Sequence, residues 1–143
     1  MSHLNYASTI YDGCSKDTLK QLNSIHRRAT KHLVHQPALT TDDRLKILKI
    51  LPLEKQFALN KTILLHKMYH NKTPSYLNNL IQKPPERYKS RNLILPLPRI
   101  DLFKTSLSFS GTQLWNKLPQ DLKNISSPTS FKKRLFNLLL NAT

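Results

Sequence analysis

Glycine is almost missing: Gly13 and Gly111 are the only two in 143 residues. That excludes the glycine-rich loops that usually cradle phosphates. Cysteine is reduced to Cys14, so no intrachain disulfide can form and a zinc knuckle has no second thiolate; the chain reads as intracellular, in a reducing compartment. No apolar run approaches the roughly 18 residues of a membrane span, and no signal-peptide pattern follows Met1. Acidic residues are few, eight against 23 Lys and Arg, giving a formal charge of +15. A chain of this size carries such self-repulsion most naturally beside a polyanion. Nucleic acid leads that list, as RNA, DNA or both. An anionic membrane surface comes second, but with nothing to span or export, no membrane partner is expected.

The apolar content is lean, at 38%, yet its periodicity is helical. The expected fold class is mainly α, a small helical domain with a candidate short β-hairpin within residues 93–109. Four regions are expected: an apolar N-terminal remnant of an upstream element (1–14), a helical region (15–81), a basic loop with extended segments (82–109) and C-terminal helices (110–143).

In the helical region Ser15 reads as an N-cap with Asp17 in the first turn, and Leu19, Leu22, Ile25, Ala29 and Leu33 recur at steps of three and four. At about 100° per residue, Lys16, Lys20, Arg27 and Lys31 gather opposite that stripe, with Arg28 beside them. One face is expected in the core and the other to be cationic. A charged helix face is ordinarily solvated surface; cations without compensating acids are what phosphate contact requires. Thr40-Thr41-Asp42-Asp43 supplies the cap and first-turn acids of a short helix, and Pro52 opens a third running to about His70. Its expected stripe is Leu53, Phe57, Leu64 and Met68, widened by Ala58, Leu65 and Tyr69, with Lys61 reaching past it to water. Asn71 tolerates the left-handed cap conformation.

Residues 82–92 read as an exposed basic loop, with Lys83, Arg87, Lys89 and Arg91 around Tyr88; it is equally a solvated linker or a phosphate-tracking segment. Leu93, Leu95 and Leu97 alternate with Ile94, Pro96 and Pro98, and Phe103, Thr105, Leu107 and Phe109 alternate with polar residues. These are the two arms of the expected hairpin.

The densest local signals surround the single Trp. Ser110 and Gln113 have the spacing of a capping box, and Phe109 and Leu114 that of a hydrophobic staple, so a short helix would aim Trp115 inward. Packing is the commoner meaning of such an indole; a stacking platform for a base is the functional alternative. Ser127 and Pro128 open a last helix with Phe131, Leu135, Leu138 and Leu139 on one face and Phe136 and Leu140 elsewhere.

No catalytic constellation is present. Asp42 and Asp43 read as helix-start charge rather than a two-metal site. His66 and His70, spaced i, i+4 and opposite the apolar stripe, lack further ligands, as do His32 and His35, so no metal and no cofactor is expected.

Leu19 to Ala29 with its Arg27-Arg28-Ala29, Leu51-Pro52-Leu53, Lys67-Met68-Tyr69, Thr73-Pro74-Ser75-Tyr76-Leu77, Leu95-Pro96-Leu97-Pro98-Arg99, Phe109-Ser110-Gly111, Leu114-Trp115-Asn116-Lys117-Leu118-Pro119 and Ser130-Phe131-Lys132 follow one another in an order and spacing that resemble the C-terminal part of non-LTR (LINE-type) retrotransposon polyproteins. The likeness is to the region downstream of the reverse-transcriptase palm, in jockey-like and chicken-repeat-like lineages, and runs from about Tyr6 onward. Asn71 stands where such elements usually have Gly, and Thr112 where they have Ala. The resemblance implies a parent protein with endonuclease, fingers, palm and thumb that performs target-primed reverse transcription with magnesium. Its catalytic aspartates would lie in the palm, upstream of Met1, so this chain is expected to be a non-catalytic part that binds RNA template or primed DNA. A module docking on the palm or thumb, or a decayed fragment without activity, are the alternatives.

Overall fold

The computed structural model describes residues 8–11, 15–88 and 91–141. The chain runs through α1 (Ser8–Tyr11), α2 (Lys16–Leu33), α3 (Thr41–Ile47), α4 (Leu53–Tyr69), α5 (Ser75–Asn78), α6 (Asp101–Lys104), a π-helical turn (Leu107–Gly111), α7 (Thr112–Asn116), α8 (Gln120–Lys123) and α9 (Pro128–Asn141). It is mainly helical; among the described residues the only β-pairing is an isolated antiparallel bridge between Gln82 and Ile94.

Local chemistry sets several boundaries. Ser15 Oγ accepts from Thr18 N at 3.3 Å and starts α2. Thr40 and Asp43 cap α3 reciprocally: Asp43 N donates to Thr40 Oγ1 at 3.2 Å and Thr40 N to Asp43 Oδ2 at 3.3 Å, which holds the Asp43 carboxyl below its usual pKa. Lys49 and Asn71 turn the chain with φ of 52° and 54°. After each, a backbone N–H reaches five residues back to close the helix end, Ile50 to Leu45 O and Lys72 to Lys67 O.

Helix α4 is the centre. Leu53, Phe57, Leu59, Lys61, Thr62, Leu65, His66 and Met68 are all buried, so the helix is enclosed rather than resting on one stripe, because α9, α7, the π-helical turn and α1 all pack on it. Two expectations change with that. Lys61 does not reach water: it is 2% exposed and its ammonium donates to Ser110 Oγ at 2.8 Å. His66 is not on a solvated face either; it is fully buried, with its ring 4.1 Å from that of Phe131 and nearly parallel. Trp115, Phe131 and Leu135 complete the core from α7 and α9, each such side chain contributing about 1.5–3 kcal/mol of transfer free energy. On α9, Phe136 and Leu140 also pack partly against this core, whereas Leu138 is exposed.

The expected hairpin does not form. Residues 101–104 and 107–111 are helical, for two reasons. Prolines 96 and 98 remove ladder donors from the would-be partner. In addition, Ser106 caps the next turn, its Oγ accepting from Phe109 N at 3.4 Å. This also displaces the capping box read at Ser110 and Gln113, and the Phe109 and Leu114 staple with it. Ser110 lies inside the π-helical turn, its hydroxyl donating to Ser106 O at 2.8 Å, and Gln113 is exposed. Gly111 allows a close approach here, since a β-carbon would stand 2.9 Å from Leu65 Cδ1 and the buried Leu65 side chain would have to shift.

Candidate nucleic-acid interface

Capped at Ser15, α2 presents Lys16, Lys20, Arg27, Arg28 and Lys31 to solvent. Lys20 is 3.6 Å from Asp17, but both are well exposed, and such a pair is weak and easily exchanged for a phosphate. The other face corrects the expectation of a core stripe. Ile25 and Leu33 are 56% and 67% exposed, Ala29 is exposed too, and the buried residues are His26 and Thr30. Packing on α3 buries His26 and Thr30 at the edge of the apolar stripe and half-buries Leu19 and Leu22, which leaves Ile25, Ala29, Leu33 and the cationic side accessible.

The basic loop is anchored at the other end of α4. Lys83 donates to Asn71 Oδ1 at 2.9 Å and lies 5.3 Å from the centre of the Tyr69 ring, while Arg87 lies 5.0 Å from that of Tyr88. Both cations are exposed, and aromatic contacts of this kind orient a cation without neutralising it. Lys89 lies outside the described residues. Arg91 is half-buried and gives one of its five donors to Lys123 O at 3.3 Å. The α2 cations and this loop are therefore not one patch. Arg27 borders the N-terminal end of α4, beside Leu53 and Glu54, whereas Lys83 is held at its C-terminal end by Asn71 and Tyr69; the helix between them is about 25 Å long for 17 residues.

The tryptophan stretch turns out to be a clamp. Trp115 is fully buried and its Nε1–H donates to Arg91 O at 2.9 Å, so it offers no face to a base. Asn116 imitates a neighbouring strand: Leu93 N donates to its Oδ1 at 2.8 Å and its Nδ2 donates to Leu93 O at 2.9 Å. Lys123, 1% exposed, donates to Asn92 Oδ1 at 2.7 Å and Asn116 O at 3.1 Å, and burial lowers its pKa. Asn116 and Lys123 carried no periodic signal in the sequence; their role depends on the segment 91–94, which only the fold brings to them.

Two further cations were also missed. Lys67 of α4 and Lys132 of α9 line an open groove of about 420 Å³ with Asn60 and Thr129. Their exposed positions on helices that are otherwise core-facing are the only sequence signal.

The histidines are poor metal ligands. His66 Nε2 is 2.5 Å from Ile125 O; a carbonyl only accepts, so Nε2 carries the proton and Nδ1 is left without a partner. Burial lowers the pKa of His66, His70 and His26 alike. Among the described residues no group of three His, Cys, Asp or Glu side chains could hold a metal ion, and no helix is long and apolar enough to cross a membrane. Comparison with protein-family models, curated proteins and solved structures finds no match.

Proposed function

We propose that this chain is a non-catalytic, nucleic-acid-binding helical module that holds RNA template or primed DNA through its phosphates. The observation that carries the reading is the exposed row Lys16, Lys20, Arg27, Arg28 and Lys31 on α2, in a chain of net charge +15. Lys83 and Arg87 supply a second contact, and cations at both ends of α4, Arg27 at one and Lys83 at the other, suit a strand or duplex that runs along the molecule rather than a compact ligand. The resemblance to the region downstream of a LINE-type reverse-transcriptase palm supports the same reading. In that setting the parent protein is the RNA-directed DNA polymerase, and this part contributes grip.

Binding should be nearly indifferent to sequence and steep in salt, the logarithm of affinity falling by about 0.7 per single-strand phosphate contact for each logarithm of salt. Titrating labelled RNA and duplex DNA at 50 and 200 mM salt tests it. No binding at low salt, or binding unmoved by salt, sinks the reading.

A second reading, a module that docks on a palm, thumb or other protein, is favoured by the exposure of Leu97 (93%) and Leu102 (76%). Salt-insensitive association with a purified palm, without nucleic-acid affinity, selects it.

A further inference from the structure

A small cavity of about 100 Å³ lies where the end of α2 meets α3. Lys31, Val34, His35, Gln36 and Pro37 line it from α2 and the loop that follows, and Arg44 is the one lining residue that comes from α3. Arg44 Nη2 donates to Gln36 O at 2.8 Å, so the guanidinium is the end that reaches the cavity. The residue is only 8% exposed. Its Nε is sealed from the surface, whereas Nη1 is not sealed and makes no hydrogen bond among the described residues, which leaves its N–H groups to face the cavity.

What the arrangement lacks is negative charge. A buried cation ordinarily has a partner ion, and a guanidinium cannot shed its proton to escape the need for one. Among the described residues no carboxylate pairs with Arg44. The carbonyl end of α2 and Gln36 O favour a cation here, but they offer fractional charge only. Lys31 and His35 stand beside the cavity, both exposed, and Lys31 also ends the cationic row of α2. The missing partner is therefore an anion that arrives from that row.

Its size is limited, since the cavity is well below the roughly 300–1,000 Å³ of drug-sized pockets. A phosphodiester inside a strand is flanked by sugars on both sides and cannot enter far. A terminal phosphate monoester projects three free oxygens and carries a charge of about −1.5 to −2. We propose that the cavity receives the terminal phosphate monoester of a strand whose other phosphates lie on α2, its oxygens taking the N–H groups of Arg44 and the ammonium of Lys31. This rests on the nucleic-acid reading above and adds a preference for phosphorylated strand ends.

The experiment is fluorescence anisotropy with the full chain and internally labelled oligouridine strands that carry a 5′-phosphate, a 3′-phosphate or hydroxyls at both ends. At least one phosphorylated strand should bind about tenfold tighter than the hydroxyl strand, as hydrogen bonds between charged groups allow. Arg44→Met should erase that difference and be at least as stable in urea, since it replaces a buried unpaired charge by an apolar chain of similar volume. Lost stability with the difference intact would make Arg44 a structural cap of α2 and overturn the proposal. If that variant does not fold, Lys31→Ala, at an exposed position, should shrink the difference, and an unchanged difference overturns the proposal. Lys16→Ala with Lys20→Ala should weaken all three strands and keep the difference. Equal affinities in the unaltered chain, with steep salt dependence kept, overturn the end site and leave the phosphate reading standing. If no strand binds at low salt, the phosphate reading falls, and the cavity is judged by melts in inorganic phosphate against chloride at matched ionic strength. A melting temperature raised by phosphate in the unaltered chain but not in Arg44→Met keeps the cavity as a phosphate-monoester site; no rise, or an equal rise in both, overturns it.

Discussion

Helices α2 and α4 are of nearly equal length and opposite character. Of the two, α2 has the cleaner amphipathic pattern, yet it buries only His26 and Thr30. The less regular α4, which buries a lysine and a histidine, is enclosed by α1, α7, α9 and the π-helical turn. Periodicity reports how well a face could pack, whereas the number of neighbours decides whether it does. The surplus on α2, an open apolar stripe beside an open cationic one, is what the chain has available for partners.

The contrast is broken most directly by truncation. Trp115→Ala, at the side of α4, should cost roughly 3–5 kcal/mol, a large part of the stability of a small domain. Ile25→Ala on α2 should change it by no more than about 0.5 kcal/mol, as exposed positions do. Urea melts of the two variants measure the difference, and comparable losses would mean that α2 is packed after all. Next in size is Asn116→Ala, which strips both hydrogen bonds from the buried Leu93 backbone. With about 1–3 kcal/mol for each of the two polar groups left unpaired, a loss of roughly 2–6 kcal/mol is expected. A melt within error of the unaltered chain would refute the clamp.

Acid should separate the regions a third way. The pKa of His66 is lowered in the folded chain by burial, so the unfolded chain takes up the proton more readily. The stability tied to this group is full above about pH 6.5, the ordinary value, and is lost as the pH falls below it. Protonation puts an N–H on Nδ1 with nothing to accept it, in a site already near Lys72. Melts at pH 7.5 and 5.5 should show the loss, and His66→Gln should shrink it. His70 and His26 contribute in the same direction, so the slope should be reduced rather than abolished.

The parts of this fold that the sequence announced are those decided within a few residues. The cap at Ser15, the acids and cap around Thr40 and the left-handed Asn71 each depend on neighbours in the chain. Mainly helical character followed from the same local patterns. What was illegible depends on distant partners. The alternation at 103–109 looked like a strand, but a strand needs a partner, and the available one carried two prolines. Ser110 had the spacing of a cap, but Ser106 occupied that role first and Lys61, far away in sequence, claimed the Ser110 hydroxyl. For the candidate interface, the exposed cations of α2 were legible. The contact of Arg91 with Lys123, the Lys67 and Lys132 groove and the Arg44 cavity were not, since each needs two or more elements to meet.

The Asn116 clamp makes the chain from residue 95 to residue 106 a lasso fixed at both ends: Leu93 is tied to Asn116 at one side, and Ser106 anchors the π-helical turn at the other. Within it Leu97 and Leu102 face solvent, and the tie already spans 23 positions. Closure entropy grows only with the logarithm of loop length, about 0.6 kcal/mol for each doubling. The lasso can therefore be lengthened, shortened or rewritten while the core registers almost nothing, which makes it the segment in which related chains are free to diverge in length and in which a reporter peptide can be inserted without unseating Trp115.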